Sequence, residues 1–162
     1  MSESVSKQWQ AYLGSFTQVI QALSDQLVFS FLGAKERPLT KAEGEALGLS
    51  AGYPAWVREV AWSYEDVPQV SASAIIPVAD TTTFQRLREW GDQPLGKLLY
   101  TDPELVECDS VLLPPEEGYA IHRQRELRFH GHALLSVERL TPAFLRTWEH
   151  EISAVLSRGV HE

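Results

Sequence analysis

Two stretches of alternating residues, each doubling back on itself, narrow the possible folds of this chain further than any other feature. Between Trp56 and Tyr64 the residues Trp56, Arg58, Val60, Trp62 and Tyr64 occupy every second position, so a strand there turns four large apolar side chains and one arginine to one face. Glu65-Asp66-Val67-Pro68 is a turn and Val70–Val78 returns, which makes 56–78 a hairpin. The pattern recurs in Tyr119–Phe129, the turn His130-Gly131-His132, and Ala133–Thr141. Shifted by 65 residues, the first hairpin puts Arg58 on Arg123, Ser71 on Ser136 and Pro77 on Pro142. The apolar positions follow, with Trp62 on Leu127, Tyr64 on Phe129, Val70 on Leu135 and Ile75 on Leu140.

Helical spacing surrounds the hairpins. Residues 1–12 are a polar start. Leu13, Phe16, Val19, Ile20, Leu23, Leu27 and Phe31 recur every three or four residues, which predicts an amphipathic helix over 13–32, with a break at Ser24-Asp25 and a stop at Gly33. The polar stretch 37–52 holds a short helix at 40–47, opened by the capping-box pair Thr40 and Glu43. Phe84, Leu87 and Trp90 mark another helix, Pro94 opens a short one through Tyr100, Leu105–Leu113 is a strand, and a last helix follows Thr141-Pro142. Helices and hairpins in runs, not strict alternation, give an α+β fold: a duplicated helix-then-sheet unit with one antiparallel sheet and helices packed on a face. At 162 residues this is one domain over 1–162.

A net charge of −8 argues against nucleic acid as a partner but leaves room for a small anion held by one or two arginines. The single cysteine, Cys108, excludes an internal disulfide and fits a reducing compartment. No apolar signal core opens the chain and no run reaches membrane-spanning length, so a soluble cytoplasmic protein is expected. The five histidines, His122, His130, His132, His150 and His161, show no metal-ligand spacing. Neither a Gly-x-Ser-x-Gly elbow nor a phosphate-binding glycine loop is present.

Two charged residues stand out against this background. Glu138 lies inside the apolar strand Leu134–Leu140, where a carboxylate either faces water or sits in a pocket with a partner. Arg58 shares a face with four large apolar residues and needs an anion. That anion is an acid of the chain, such as Glu138, or the carboxylate of a ligand.

Five short pieces in order resemble the chorismate pyruvate-lyase family. Gly14-Ser15-Phe16-Thr17 resembles its Asp-Ser-Met-Thr. Trp56-Val57-Arg58-Glu59-Val60 resembles its Trp-Leu-Arg-Glu-Ile, and Ile75-Ile76-Pro77-Val78 its Val-Val-Pro-Val. Pro94-Leu95-Gly96-Lys97-Leu98-Leu99-Tyr100-Thr101 resembles Pro-Leu-Gly-Arg-x-Leu-Phe-Thr, and Leu134-Leu135-Ser136-Val137-Glu138 resembles Leu-Leu-x-Thr-Glu. The resemblance implies a six-stranded antiparallel sheet built from a duplicated unit, and ligand contacts at Phe16, Arg58, Leu95 and Glu138. Phe16 and Leu95 would act through backbone N–H groups at helix starts. Arg58 would anchor the ring carboxylate of chorismate, and Glu138 would bond the ether oxygen and serve as acid or base, so that Arg58 and Glu138 are the catalytic pair. The implied reaction yields 4-hydroxybenzoate for ubiquinone and pyruvate, with no redox change and no cofactor, in a protein expected to be a monomer. One position departs: Ser73 stands where the best-known member of the family carries an arginine, and Arg123, Arg125 and Lys97 are the candidates to replace it. The alternative is a non-catalytic aromatic-acid-binding module, a carrier or a sensor like the effector domains of bacterial regulators that share the fold. Only the short polar stretch 1–12 precedes the first helix here, so no DNA-binding part is expected in this chain.

Overall fold

The computed structural model describes residues 3–12 and 14–158. Leu13, read above into a helix, and His161 lie outside the described residues. The elements run α1 (Glu3–Ala11), α2 (Phe16–Leu23), β1 (Val28–Pro38), α3 (Lys41–Leu47), β2 (Pro54–Tyr64), β3 (Val67–Pro77), α4 (Thr82–Arg88), α5 (Gly96–Leu99), β4 (Leu105–Leu112), β5 (Ile121–Phe129), β6 (His132–Leu140) and α6 (Pro142–Arg158). All six strands form one antiparallel sheet in the order β1-β2-β3-β6-β5-β4. Each half is a three-stranded meander, and the halves meet where β3 pairs with β6.

Two segments differ from the sequence reading. The start of the chain is helical, because Val5, Trp9 and Tyr12 recur at helical spacing and all three are buried. The long helix expected to run to Leu32 ends at Leu23, and Val28–Pro38 is the edge strand β1. Leu27 and Phe31 fit a helical period, but the intervening Phe29 packs against Trp62 across the strand pair at 5.2 Å. Tertiary packing decides between the two periods. Gly33 does not stop a helix: it lies at a bulge in β1, with φ at +121°. The Thr40–Glu43 capping box is formed as read.

Both hairpins close with a two-residue turn whose residues have positive φ, Glu65 and Asp66 in one, His130 and Gly131 in the other. Beyond the turn the halves slip. β3 bulges at Gln69, between the pairs Ser63–Pro68 and Trp62–Val70, and β6 pairs with β5 without such a break. Ala72 lies opposite Val60 as Ser136 lies opposite Arg125, so Ala72, not Ser71, is the counterpart of Ser136. The 65-residue match therefore holds for β2 and β5 and is off by one residue along β3 and β6.

Five helices cover one face of the sheet, and α3 lies on the other, over Val57, Ile75, Leu135 and Val137. The five-helix face carries two separate apolar cores. One joins α1, α2 and α6 to Val60, Trp62 and Leu140; the other joins α4 and α5 to Ile76, Leu127 and Leu134. No helix of the described residues is long and apolar enough to cross a membrane.

Candidate functional site

Register builds the site in the seam between the two cores. Antiparallel pairing puts Arg58 beside Ala74, Ala74 beside Ser136, and Ser136 beside Arg125. One lateral row thus has two small side chains in the middle and an arginine at each end. The missing bulk leaves a cavity of about 60 Å³ over Ala74 and Ser136. One water needs roughly 10–15 Å³, so this is a chamber and not a packing defect. Phe16 and Thr17 of α2 and Leu95, Gly96 and Tyr100 around α5 roof it. The two roof helices touch where Gly96 meets the side chains of Ser15 and Thr17.

Arg58 is 2% exposed and lines this cavity. Its Nη2 donates to the carbonyl of Gly91 at 2.9 Å and to that of Gln93, and its guanidinium sits 5.1 Å from the centre of the Phe31 ring. No carboxylate of the described residues lies within ion-pair distance of it, and Nε has no partner there. Burial pulls its pKa below the usual arginine value, only partly offset by the charge of Asp92. Of the two anions open to Arg58 in the sequence, Glu138 is not the one it contacts.

Glu138 is fully buried and belongs to a different group. Arg123, directly opposite on β5, donates from Nε to Oε1 at 2.6 Å, and Arg125 Nη2 lies 2.7 Å from Oε2. Arg123 Nη1 also donates to the carbonyls of Trp9 and Tyr12 at the end of α1, at 2.5 and 2.9 Å. A cation there meets the unpaired carbonyls of a helix C-terminus. Arg125 Nη1 donates to the Gly14 carbonyl and the Tyr100 hydroxyl oxygen, both at 2.7 Å. Glu107 completes the group: it accepts from the Gly14 amide at 2.9 Å and from the Tyr100 hydroxyl, and lies 3.3 Å from Arg125. Burial pushes the Tyr100 hydroxyl well above the ordinary tyrosine range and that of Tyr12 up to about 12, so both stay protonated donors at neutral pH.

Three of the four expected contact residues, Phe16, Arg58 and Leu95, therefore line one cavity; Glu138 does not line it, but lies beside Ala72, which does, beyond the edge of its floor. Phe16 is the first residue of α2, capped by Ser15, whose Oγ accepts from the Gln18 amide at 3.2 Å; the amide of Phe16 is one of the first-turn donors without an intrahelical partner. Of the candidates to replace the arginine missing at Ser73, Lys97 is exposed, Arg123 is beyond the edge of the floor, and Arg125 lines the cavity. Ser73 itself alternates with Ala72 and Ala74, so its side chain points to the α3 face, where its Oγ is 3.5 Å from Arg139 Nη1. The sequence reading missed Tyr100 and Glu107 as site members. The signal that pointed to them was Arg123 and Arg125 on the same strand face as Leu127 and Phe129, two buried cations needing acceptors. Among the described residues, no group of three or more His, Cys, Asp and Glu could hold a metal ion.

A sequence profile described as chorismate lyase matches residues 1–120. The chain belongs to the chorismate lyase family. The matched segment contains Phe16, Arg58 and Leu95 and stops before β5 and β6, which carry Arg125 and Glu138. A Burkholderia pseudomallei (strain 1710b) protein named probable chorismate pyruvate-lyase 1 is 31% identical over 121 residues, 72% of this chain and 65% of the relative. A Halorhodospira halophila (strain DSM 244 / SL1) protein named probable chorismate pyruvate-lyase is 36% identical over 88 residues, 54% of this chain and 46% of the relative. Each match thus spans less than two thirds of the relative's length. Among solved structures, the PhnF C-terminal domain superimposes with a TM-score of 0.58 at 14% identity, covering 80% of this chain and 89% of that one. The effector domain of PhnF from Mycobacterium smegmatis gives 0.52 at 13%, covering 80% and 90%. Likeness at these identities is one of fold.

Proposed function

We propose that this protein is a chorismate pyruvate-lyase, converting chorismate to 4-hydroxybenzoate and pyruvate at the head of ubiquinone synthesis. One observation carries the reading: Arg58 is a buried cation with no ion-paired acid among the described residues, lining a partly open cavity, in a chain of this family. An isolated buried charge is costly, and a ligand carboxylate removes that cost. Arg58 takes the ring carboxylate through the Nε–H or Nη1–H donors that its two carbonyl contacts on Nη2 leave free. The amides of Phe16 and Leu95 add donors from the roof.

The chemistry asks little beyond orientation and a proton. The bond from C3 of the ring to the ether oxygen breaks, hydrogen leaves C4, and the ring becomes aromatic with its C4 hydroxyl as the phenol. The enolpyruvyl fragment takes up a proton and ends as pyruvate. Atoms and electrons balance without an oxidant, so the reaction calls for no cofactor. Closing the roof excludes water from the ring. Glu138 is the proposed proton-handling group, through Oε2, whose one neighbouring donor among the described residues is Arg125 Nη2.

Incubation with chorismate, following 4-hydroxybenzoate and pyruvate together, tests the reading. Equal amounts of both are expected, and no turnover above the uncatalysed rate overturns it. The position of Glu138 beyond the edge of the floor, bonded to two arginines, favours one second reading, a module that binds the aromatic acid without catalysis. Saturable binding of 4-hydroxybenzoate without turnover would establish that reading instead.

A further inference from the structure

Arg58 and Arg125 close the two ends of the same row, and they are alike in an unexpected way. Each is 2% exposed, each lines the cavity, and each has a buried Nε–H with no acceptor among the described residues. Buried donors of this kind are rare because leaving one unsatisfied costs more than the bond returns. Their strands are three inter-strand steps apart, about 14 Å at ~4.8 Å a step, with only Ala74 and Ser136 between them. The rest of the Arg125 guanidinium is fixed: Glu138 holds Nη2, and Gly14 and Tyr100 hold Nη1. A group pinned at two nitrogens presents its third in a set direction and loses little freedom on binding. The neighbouring Tyr100 hydroxyl lies at the same end of the cavity.

We propose that Arg125, braced by Tyr100, is the second anion-binding group of this cavity, so that the site is built for a compact ring dicarboxylate and is selective against monocarboxylates at the Arg125 end. The inference rests on the reading that Arg58 anchors a ring carboxylate. It assigns the second carboxylate, borne on the ether side chain, to β5, on the opposite side of the floor from Arg58. Ser73 cannot serve, because its side chain is on the other face of the sheet. Arg123 cannot serve, because Glu138, Trp9 and Tyr12 hold it beyond the edge of the floor.

The test compares two stable aromatic probes by calorimetry: 3-(carboxymethoxy)benzoate, with two carboxylates, and 3-methoxybenzoate, with one. The wild type should bind the dicarboxylate more tightly. Arg125→Lys keeps the cation beside Glu138 and Glu107 and removes the Nε–H; it should weaken the dicarboxylate at least about tenfold, the lower end for one hydrogen bond to a charged group, and leave the monocarboxylate nearly unchanged. Equal loss for both probes, or none for either, overturns the assignment. If Arg125→Lys does not fold, Tyr100→Phe gives the same comparison, with a smaller dicarboxylate-selective loss expected and a non-selective or absent one counting against. Arg58→Met separates the two claims. Loss of both probes there together with a non-selective Arg125→Lys defeats the dicarboxylate assignment alone; unchanged binding of both in Arg58→Met defeats the carboxylate-anchor reading, and this one with it.

Discussion

Arg58 and Glu138 are both buried charges in strands, yet their surroundings make opposite demands. Arg58 leans on two loop carbonyls, those of Gly91 and Gln93, whose residues are exposed, so water can take over when the guanidinium is removed. Arg58→Met should change stability by no more than about 1 kcal/mol, because an apolar side chain of similar size replaces a buried charge at little cost. Affinity for 4-hydroxybenzoate should fall by about 2–5 kcal/mol, the range for truncating one partner of a buried charged pair. Thermal melts with and without ligand read both quantities; a large drop without ligand would mean that Arg58 is structural. Glu138→Gln is different. The sequence alone suggests a substitution that spares the fold, but the amide leaves Arg123 and Arg125 without their shared carboxylate in a fully buried place. A loss of about 3–5 kcal/mol is expected from the melts. Turnover, measured well below the lowered melting temperature, should fall at least ~10²-fold if Glu138 handles a proton; near-normal turnover would make it a spectator. The anomaly of each residue is legible in the sequence because charge interrupts an apolar alternation. Its partner is not, since partners depend on strand register, and a one-residue bulge at Gln69 is enough to change which side chains meet.

At the scale of elements, hairpins were the legible part and edges the illegible one. Turns between alternating strands carry their geometry locally, and both hairpins formed where they were read; the turns are two residues long, shorter than the four and three read for them, because Val67 and His132 already pair with Tyr64 and Phe129. β1 was hidden because Leu27, Phe31 and the residues before them satisfy a helical period, and only the contact of Phe29 with Trp62 selects the strand. The roof helices show a constraint of the same long-range kind. A Cβ at Gly96 would lie 2.9 Å from Thr17 Oγ1 and 3.2 Å from Ser15 Oγ, and that Ser15 oxygen is the N-cap of α2. Gly96→Ala should therefore push α5 from α2 or pull Ser15 off its cap. A cost of about 1–3 kcal/mol in the melts is expected, in the range of overpacking elsewhere. The ligand-induced rise in melting temperature should shrink as well, because the roof closes less tightly. Thr17→Ala in the same chain removes the nearest obstructing atom and should restore part of both; no rescue would mean that the two helices do not meet as described.

For the whole molecule, the sheet and the two apolar cores form a frame, and the seam between the cores is where it opens. The N-terminal cover and the α5 cover come from opposite halves of the chain, yet they hang on the same two side chains. Glu107 takes the Gly14 amide just before α2 and the Tyr100 hydroxyl just after α5, and Arg125 bonds the Gly14 carbonyl and the Tyr100 oxygen. Release of that pair frees both covers, so the two should open as one unit and not independently. Hydrogen exchange with and without 4-hydroxybenzoate should then slow in α2 and α5 together, with β2, β3, β5 and β6 already slow and little changed. Glu107→Gln keeps the shape and weakens both attachments; exchange in the two helices should rise in parallel in the free protein while the sheet stays protected. If only one helix responds to the ligand, or to this substitution, the covers are separate and the Glu107–Arg125 pair is a local brace. Parallel behaviour would locate the gate of the cavity in a cluster that lies on the sheet and not in the loops above it.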